Sequence, residues 1–263
     1  MGKLNSLYNR IYADYLMPSR LKEYEKIITQ SISEGYTHIT VKDYYTALAN
    51  NKLKGRYFIH RHDIDTDIRT TKKMFAIEKK HNIQTTYYFR LSTITPKLMK
   101  EIEEFGSEAS YHFEEIATFC KKNQIKSKEK ALSHLDEIKT EFHNNFKQLE
   151  SNLGYKFKTV ASHGDFVNRK LNLINNEITN DPKLRLSLEI DCEAYDSNLH
   201  ESFNAYISDK PYPKYYSPEN IFDVIGKADI ICMLTHPRQW ETNFWVNTKD
   251  NVLRFFEGAK FKF

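Results

Sequence analysis

From residue 56 onward, short apolar runs alternate with stretches of helical periodicity, and this alternation restricts the fold more than any other property of the chain. Strand-like runs fall at 56–60, 85–91, 108–112, 159–163, 184–190 and 230–236, and helix-like stretches at 72–81, 96–105, 131–152, 218–227 and 249–256. Such a pattern predicts parallel strands joined by crossover helices, as an open sheet or a barrel. Ahead of it, 21–33 reads as a helix, 37–41 as a strand and 42–50 as a short helix, an N-terminal α/β extension packed on the main fold. The chain has no internal repeat, low-complexity tract or linker rich in Gly, Pro or Ser. The expectation is one domain over 1–263, with the extension at 1–55 and the main fold at 56–263.

Polar residues fall at the ends of the strand-like runs. Asp63 and Asp65 follow the first, His112 and His163 end two others, Asp191 follows 184–190, and His236 ends the last. In parallel α/β folds all C-terminal strand ends lie on one face, so these residues are expected to converge on one pocket. The densest cluster is R-Y-F-I-H-R-H-D-I-D-T-D at 56–67, where the apolar run gives way to a βα loop carrying two histidines and three carboxylates. On a strand Asp63 and Asp65 point the same way and Ile64 points to the opposite face. Two like charges held that close repel unless a cation or a shared proton relieves them, so the spacing suggests a metal ion or a coupled acid/base pair. A structural alternative is a helix cap, for which Asp65, Thr66 and Asp67 all qualify.

Composition narrows the partners. Of the 263 residues, 40% are hydrophobic and 28% charged, enough apolar material for a substantial core. The net charge of +4 is spread along the chain without a basic block, which argues against nucleic acid. No run approaches the roughly 18 apolar residues of a membrane span, and the first residues lack a secretory apolar core, so a soluble, cytoplasmic protein is expected. Cys120, Cys192 and Cys232 are too few and too scattered for a disulfide framework or a thiolate zinc site, and buried packing is their expected role.

Several segments resemble, in order, those of the polysaccharide deacetylase superfamily (carbohydrate esterase family four). The likeness is to a branch with R-H-D-x-D as its first motif. Arg61-His62-Asp63-Ile64-Asp65 is similar to that motif, and Thr86-Tyr87-Tyr88-Phe89 looks like the strand after the first helix. The segment from Gly106 to Glu114 resembles G-H-E-I-G-Y-H-Y-E, and Ser162-His163-Gly164 with Asn168-Arg169 resembles an H-G segment. Leu234-Thr235-His236-Pro237-Arg238-Gln239-Trp240 resembles the closing histidine motif.

The resemblance implies a distorted (β/α) barrel of about seven parallel strands. It also implies metal-dependent removal of an N-acetyl or similar acyl group from an amino sugar; with no secretory apolar core at the first residues, the expected substrate is a nucleotide- or lipid-linked intermediate of cell-surface glycan biosynthesis and not a mature polymer. One divalent metal is implied, Zn²⁺ first, with Co²⁺, Ni²⁺ or Fe²⁺ as alternatives. Matched residue by residue, Asp63 is the general base, Asp65 and His112 are metal ligands, and His236 is the general acid. Family members with the full second motif carry H-x-x-x-H, whose second histidine falls here at Ile116, which cannot ligate. The third ligand is then His163, preferred for its strand end, or Glu114. The family's R-x-P-Y motif is also absent, with Ser162-His163-Gly164-Asp165 at about its place, so either Arg61 or Arg169 orients Asp63. Glu114, Asp165, Arg238 and Trp240 are expected to support the site or bind substrate. Two other readings stay open: a catalytically silent carbohydrate-binding or scaffold homologue, and another metal-assisted amide hydrolase of deformylase type. Oligomeric state is not legible.

Overall fold

A computed structural model of the protein describes residues 2–261. The N-terminal segment forms α1 (Gly2–Ile11), a π-helical turn at Tyr12–Leu16, α2 (Leu21–Ser33), β1 (Tyr36–His38) and α3 (Val41–Ala49). Then come β2 (Arg56–Ile64), α4 (Ile68–His81), β3 (Thr86–Phe89), α5 (Pro96–Glu104), β4 (Glu108–Phe113), α6 (Glu115–Asn123), α7 (Lys128–Ser133) and α8 (Leu135–Leu153). The C-terminal part adds β5 (Thr159–Ser162), α9 (Phe166–Leu171), α10 (Pro182–Leu188), β6 (Cys192–Glu193), α11 (Ser197–His200), β7 (Ala205–Asp209) and β8 (Tyr216–Ser217). Last are α12 (Ile221–Val224), β9 (Ile230–Thr235) and α13 (Phe244–Lys260).

The strands form one sheet in the order β6-β5-β4-β3-β2-β9-β7-β8, with β1 also paired to β2. All pairings are parallel except that of β7 with β8, so the expected parallel α/β architecture holds, with nine strands among the described residues in place of about seven. β2 pairs with β9 along one side, and on the other with β1 near its start and β3 near its end. Although β6 stands four places from β2 in this order, Cys192 of β6 shares a buried cluster with Ile59 of β2 and Cys232 of β9. The sheet must therefore curl to bring these strands face to face. It stays open, because no ladder joins β6 to β7 or β8. The larger core lies where α5, α6 and α8 cover β3 and β4, around Tyr111, Phe113, Phe142 and Phe146. All three cysteines are free and buried.

Several boundaries differ from the pattern reading, each for a local reason. β2 runs on to Ile64, so Arg61, His62 and Asp63 lie on the strand and not in the loop. Helix α4 begins at Ile68 because Asp67 caps it, its carboxylate accepting from Thr70 N; Asp65 is left free of that task. Residues 184–190 are not a strand: Asp181 caps and Pro182 opens α10. The strand that follows is the two-residue β6, and Asp191, which precedes it, is exposed and away from the pocket. β7 and β8 are strands that the alternation pattern does not predict. Among the described residues no helix is long and apolar enough to cross a membrane.

Candidate metal centre and active site

β2 alternates its side chains between two environments. His60 and His62 pack on the outer face against α2 and α4, while Arg61 and Asp63 point into the curl. There the Arg61 guanidinium donates twice to Asp63, Nε to Oδ1 and Nη2 to Oδ2, both at 2.9 Å, and both side chains are almost fully buried. Arg61 is held in turn by the Ala194 carbonyl and lies 4.2 Å from the centre of the Tyr195 ring. Of the two arginines that qualified as the partner of Asp63, Arg61 takes the position; Arg169 is exposed on α9.

Asp65 lies just past the end of β2 and meets two histidines from neighbouring strands. Its Oδ1 is 3.4 Å from His112 Nε2 and 3.5 Å from His163 Nε2, and one donor atom from each of the three residues lies within 4.8 Å of the others. Each ring has an acceptor behind it, hydrogen-bonded for His112 and at ion-pair distance for His163. His112 Nδ1 donates to the Ala161 carbonyl at 2.9 Å, which turns Nε2 toward Asp65, where it is free to give its lone pair to a cation in place of a proton. His163 Nδ1 lies 3.3 Å from Glu114 Oε2, and Arg90 clamps Glu114 with two nitrogens at 2.7–2.9 Å. A carboxylate behind a histidine is the usual outer support of a metal-binding imidazole. Asp65 Oδ1 is buried and makes no hydrogen bond, as expected of an oxygen turned toward a cation. Ile116, by contrast, is buried in the α6 core.

Electrostatics keep the donor oxygen ionised. Burial opposes ionisation of Asp65, but His163, His112 and His236 outweigh it and hold its carboxyl well below the usual range. Burial would keep His112 neutral, yet Asp63 and Asp65 raise its pKa. Asp65 is thus kept ionised and His112 is drawn toward its protonated form, and a divalent ion taking the place of that proton would meet an ionised oxygen and two ring nitrogens. Two imidazoles and a carboxylate suit Zn²⁺ and related ions. Asp63 is likewise lowered: burial works against ionisation, and Arg61, His112 and His236 prevail. For Glu114, burial is overcome by His163 and Arg90, and its pKa falls to about 2.

His236, at the end of β9, reaches the same pocket from the other side of β2. Its Nδ1 donates to Asp209 Oδ1 at 2.7 Å, its backbone N–H donates to Asp209 Oδ2 at 2.7 Å, and Trp240 Nε1 donates to the same oxygen at 3.0 Å. Burial pulls the His236 pKa down, but Asp209, Asp65 and Asp63 raise it to about 9. Trp240 is therefore a fully buried anchor of Asp209 and not a stacking platform. Arg238 ties the chain ends together through Asp14 and Asp250, and Asp165 caps α9 and receives Lys121 at 3.0 Å. Asp209, Arg90 and Tyr195 belong to the site although the pattern reading passed over them. Asp209 had a legible signal, since Ala205-Tyr206-Ile207-Ser208-Asp209 is another short apolar run ending in a polar side chain.

Two grooves, of about 980 and 660 Å³, open onto this centre and share Arg10, Asp65, Thr66 and Arg254. The larger contains Asp63, Asp209 and His236; the smaller contains His163, Arg90 and Phe166. The chain matches no protein-family model and no curated protein sequence. Among solved structures it is similar to a Streptococcus mutans CE4 esterase, at 16% identity over 88% of this chain and 92% of that one, with a TM-score of 0.44. It is also similar to the Streptococcus pyogenes deacetylase PplD in complex with acetate, at 18% identity over 57% of this chain and 66% of that one, with a TM-score of 0.41. The aligned part thus spans just under two thirds of the S. pyogenes enzyme. Both likenesses are distant, and the chemistry of the site rests on its own geometry.

Proposed function

We propose that this chain is a metal-dependent hydrolase that removes an N-acetyl or similar small acyl group from an amino sugar, within the assembly of a surface glycan. The observation that carries the reading is the donor cluster Asp65, His112 and His163, with ionised Asp63 on one side and His236 in the groove beside it. A divalent cation held by that cluster would polarise an amide carbonyl and acidify a water. Asp63, kept ionised by Arg61, accepts the proton of the attacking water. His236, charged through the neutral range, donates a proton to the departing amine nitrogen, and Asp209 keeps its ring aimed. An amine leaves poorly unless protonated, which is why the site carries a separate acid.

The test is direct. Metal content is measured on the purified protein, and acetate release is followed from a panel of N-acetylated sugars after loading with Zn²⁺, Co²⁺, Ni²⁺ or Fe²⁺. One bound equivalent with release that a chelator abolishes supports the reading. Full metal loading with no release from any sugar, but release from formylated or non-sugar amides, would reassign the substrate class. No metal and no turnover would reject the proposal.

A further inference from the structure

The carboxylates that line the two grooves are already engaged. Arg238 holds Asp14 and Asp250, at 2.7 Å for Asp14, and Lys121 holds Asp165 and Glu257 at 3.0 and 3.1 Å. Asp63 belongs to Arg61, Asp209 to His236, and Asp65 to the donor cluster. Of the cations that line the smaller groove, Arg90 pairs with Glu114 and Arg10 with Asp14, but three others are not matched in the same way. Arg169 on α9 and Lys249 on α13 line it, and among the described residues neither side chain has an ion-pair or hydrogen-bond partner. Arg254 pairs through Nε with Asp250 at 2.9 Å, but that carboxylate is shared with Arg238. Three positive side chains from two helices thus surround one open groove without enough negative charge to balance them. Phe166 and Leu253 stand among them as apolar wall.

We propose that the acylated amino sugar carries a phosphate or diphosphate, which the smaller groove binds through Arg169, Lys249 and Arg254 while the acyl group lies at the metal centre; the inference rests on the deacylase reading above. A multiply charged group is the ligand that three convergent cations suit, whereas a single carboxylate would leave most of them unmatched. The other, larger groove carries the acid and base and is left for the rest of the substrate.

The experiment compares kcat/KM of the metal-loaded enzyme for N-acetylglucosamine, its 1-phosphate, UDP-N-acetylglucosamine and a prenyl-diphosphate-linked N-acetylglucosamine. A preference of roughly tenfold or more for one of the phosphorylated forms, shrinking as salt is raised, is expected. The form preferred tells whether the phosphate comes from a sugar phosphate, a nucleotide or a lipid carrier. The double variant Arg169→Gln/Lys249→Gln should lose that preference through a raised KM. Its metal content and thermal melting serve to establish that it is folded. Titration of UDP into the metal-loaded protein gives a readout independent of turnover, and its affinity should fall in the same variant. If no sugar is hydrolysed but UDP binding still depends on the two residues, the deacylase reading fails and the anion groove stands. Equal kcat/KM for neutral and phosphorylated sugars, or UDP affinity unchanged in a folded double variant, would overturn the groove.

Discussion

Asp63 and Asp65 are two residues apart and have opposite surroundings. Asp63 spends both oxygens on a buried guanidinium, whereas Asp65 faces two imidazole nitrogens and leaves one buried oxygen unpaired. Their substitutions should therefore separate. Asp63→Asn is expected to lower turnover by about 10²–10⁴ while keeping metal content, since that is the usual cost of a lost general base. Asp65→Asn or His163→Ala should lower metal occupancy first, with activity following in proportion. Equal loss of metal in all three variants, read by elemental analysis, would show that the roles are wrongly divided. The pairing of His236 with Asp209 predicts the pH profile. A general acid must be protonated, and a pKa raised from 6.5 to about 9 keeps His236 charged through the neutral range, so turnover should fall only as pH passes about 9. Asp209→Asn removes the main counter-charge, and the alkaline limb should move down by roughly one to two pH units. A limb that stays in place would assign it to another group.

At the scale of elements, β2 carries two polar faces back to back. On its outer face His62 Nε2 lies 2.9 Å from Glu78, a buried carboxylate on α4 that also accepts from Tyr24 OH at 2.6 Å, from Thr85 Oγ1 at 2.7 Å and from Tyr87 OH. This knot fixes the strand that bears Asp63 to the helix behind it. Glu78→Ala leaves these groups without their acceptor in a dry interior and should destabilise by about 3–5 kcal/mol, measured by urea unfolding. A cost under about 1 kcal/mol would mean that water replaces the carboxylate. Here too lies the limit of pattern reading. His112, His163 and His236 were legible because each ends a run of strand residues long enough to show its period. The 184–190 segment misled because Leu184, Leu186 and Leu188 alternate as a strand would, while Asp181 and Pro182 cap and start a helix. β6 is too short to show any period, and β7 was passed over, taking Asp209 with it. His62 alternates with Asp63 and so belongs to the outer face, but a run that ends at residue 60 puts it in a loop, where alternation says nothing of its direction.

For the whole molecule, the donor set of Asp65, His112 and His163 joins β4, β5 and the end of β2, so an ion bound there would link three strands of the folded state only. A ligand at a hundred times its dissociation constant stabilises by about 2.7 kcal/mol, and in a chain of this size each kcal/mol moves Tm by about 2–4 °C. Chelation of the loaded protein should therefore lower Tm by roughly 5–10 °C, an effect lost in Asp65→Asn and kept in Asp63→Asn. An unchanged Tm would place the ion, if bound, somewhere other than between the strands. The parallel sheet has a further consequence, for time. Because its neighbouring strands are joined by long crossovers, Asp65, His112 and His163 come within reach of one another only after distant parts of the chain have met. The donor set is thus a late product of assembly and cannot template it. Metal added at the start of refolding should leave the folding rate as it is in a chelator and slow only the unfolding rate, so that the ion acts as a lock on a finished structure and not as a seed for it.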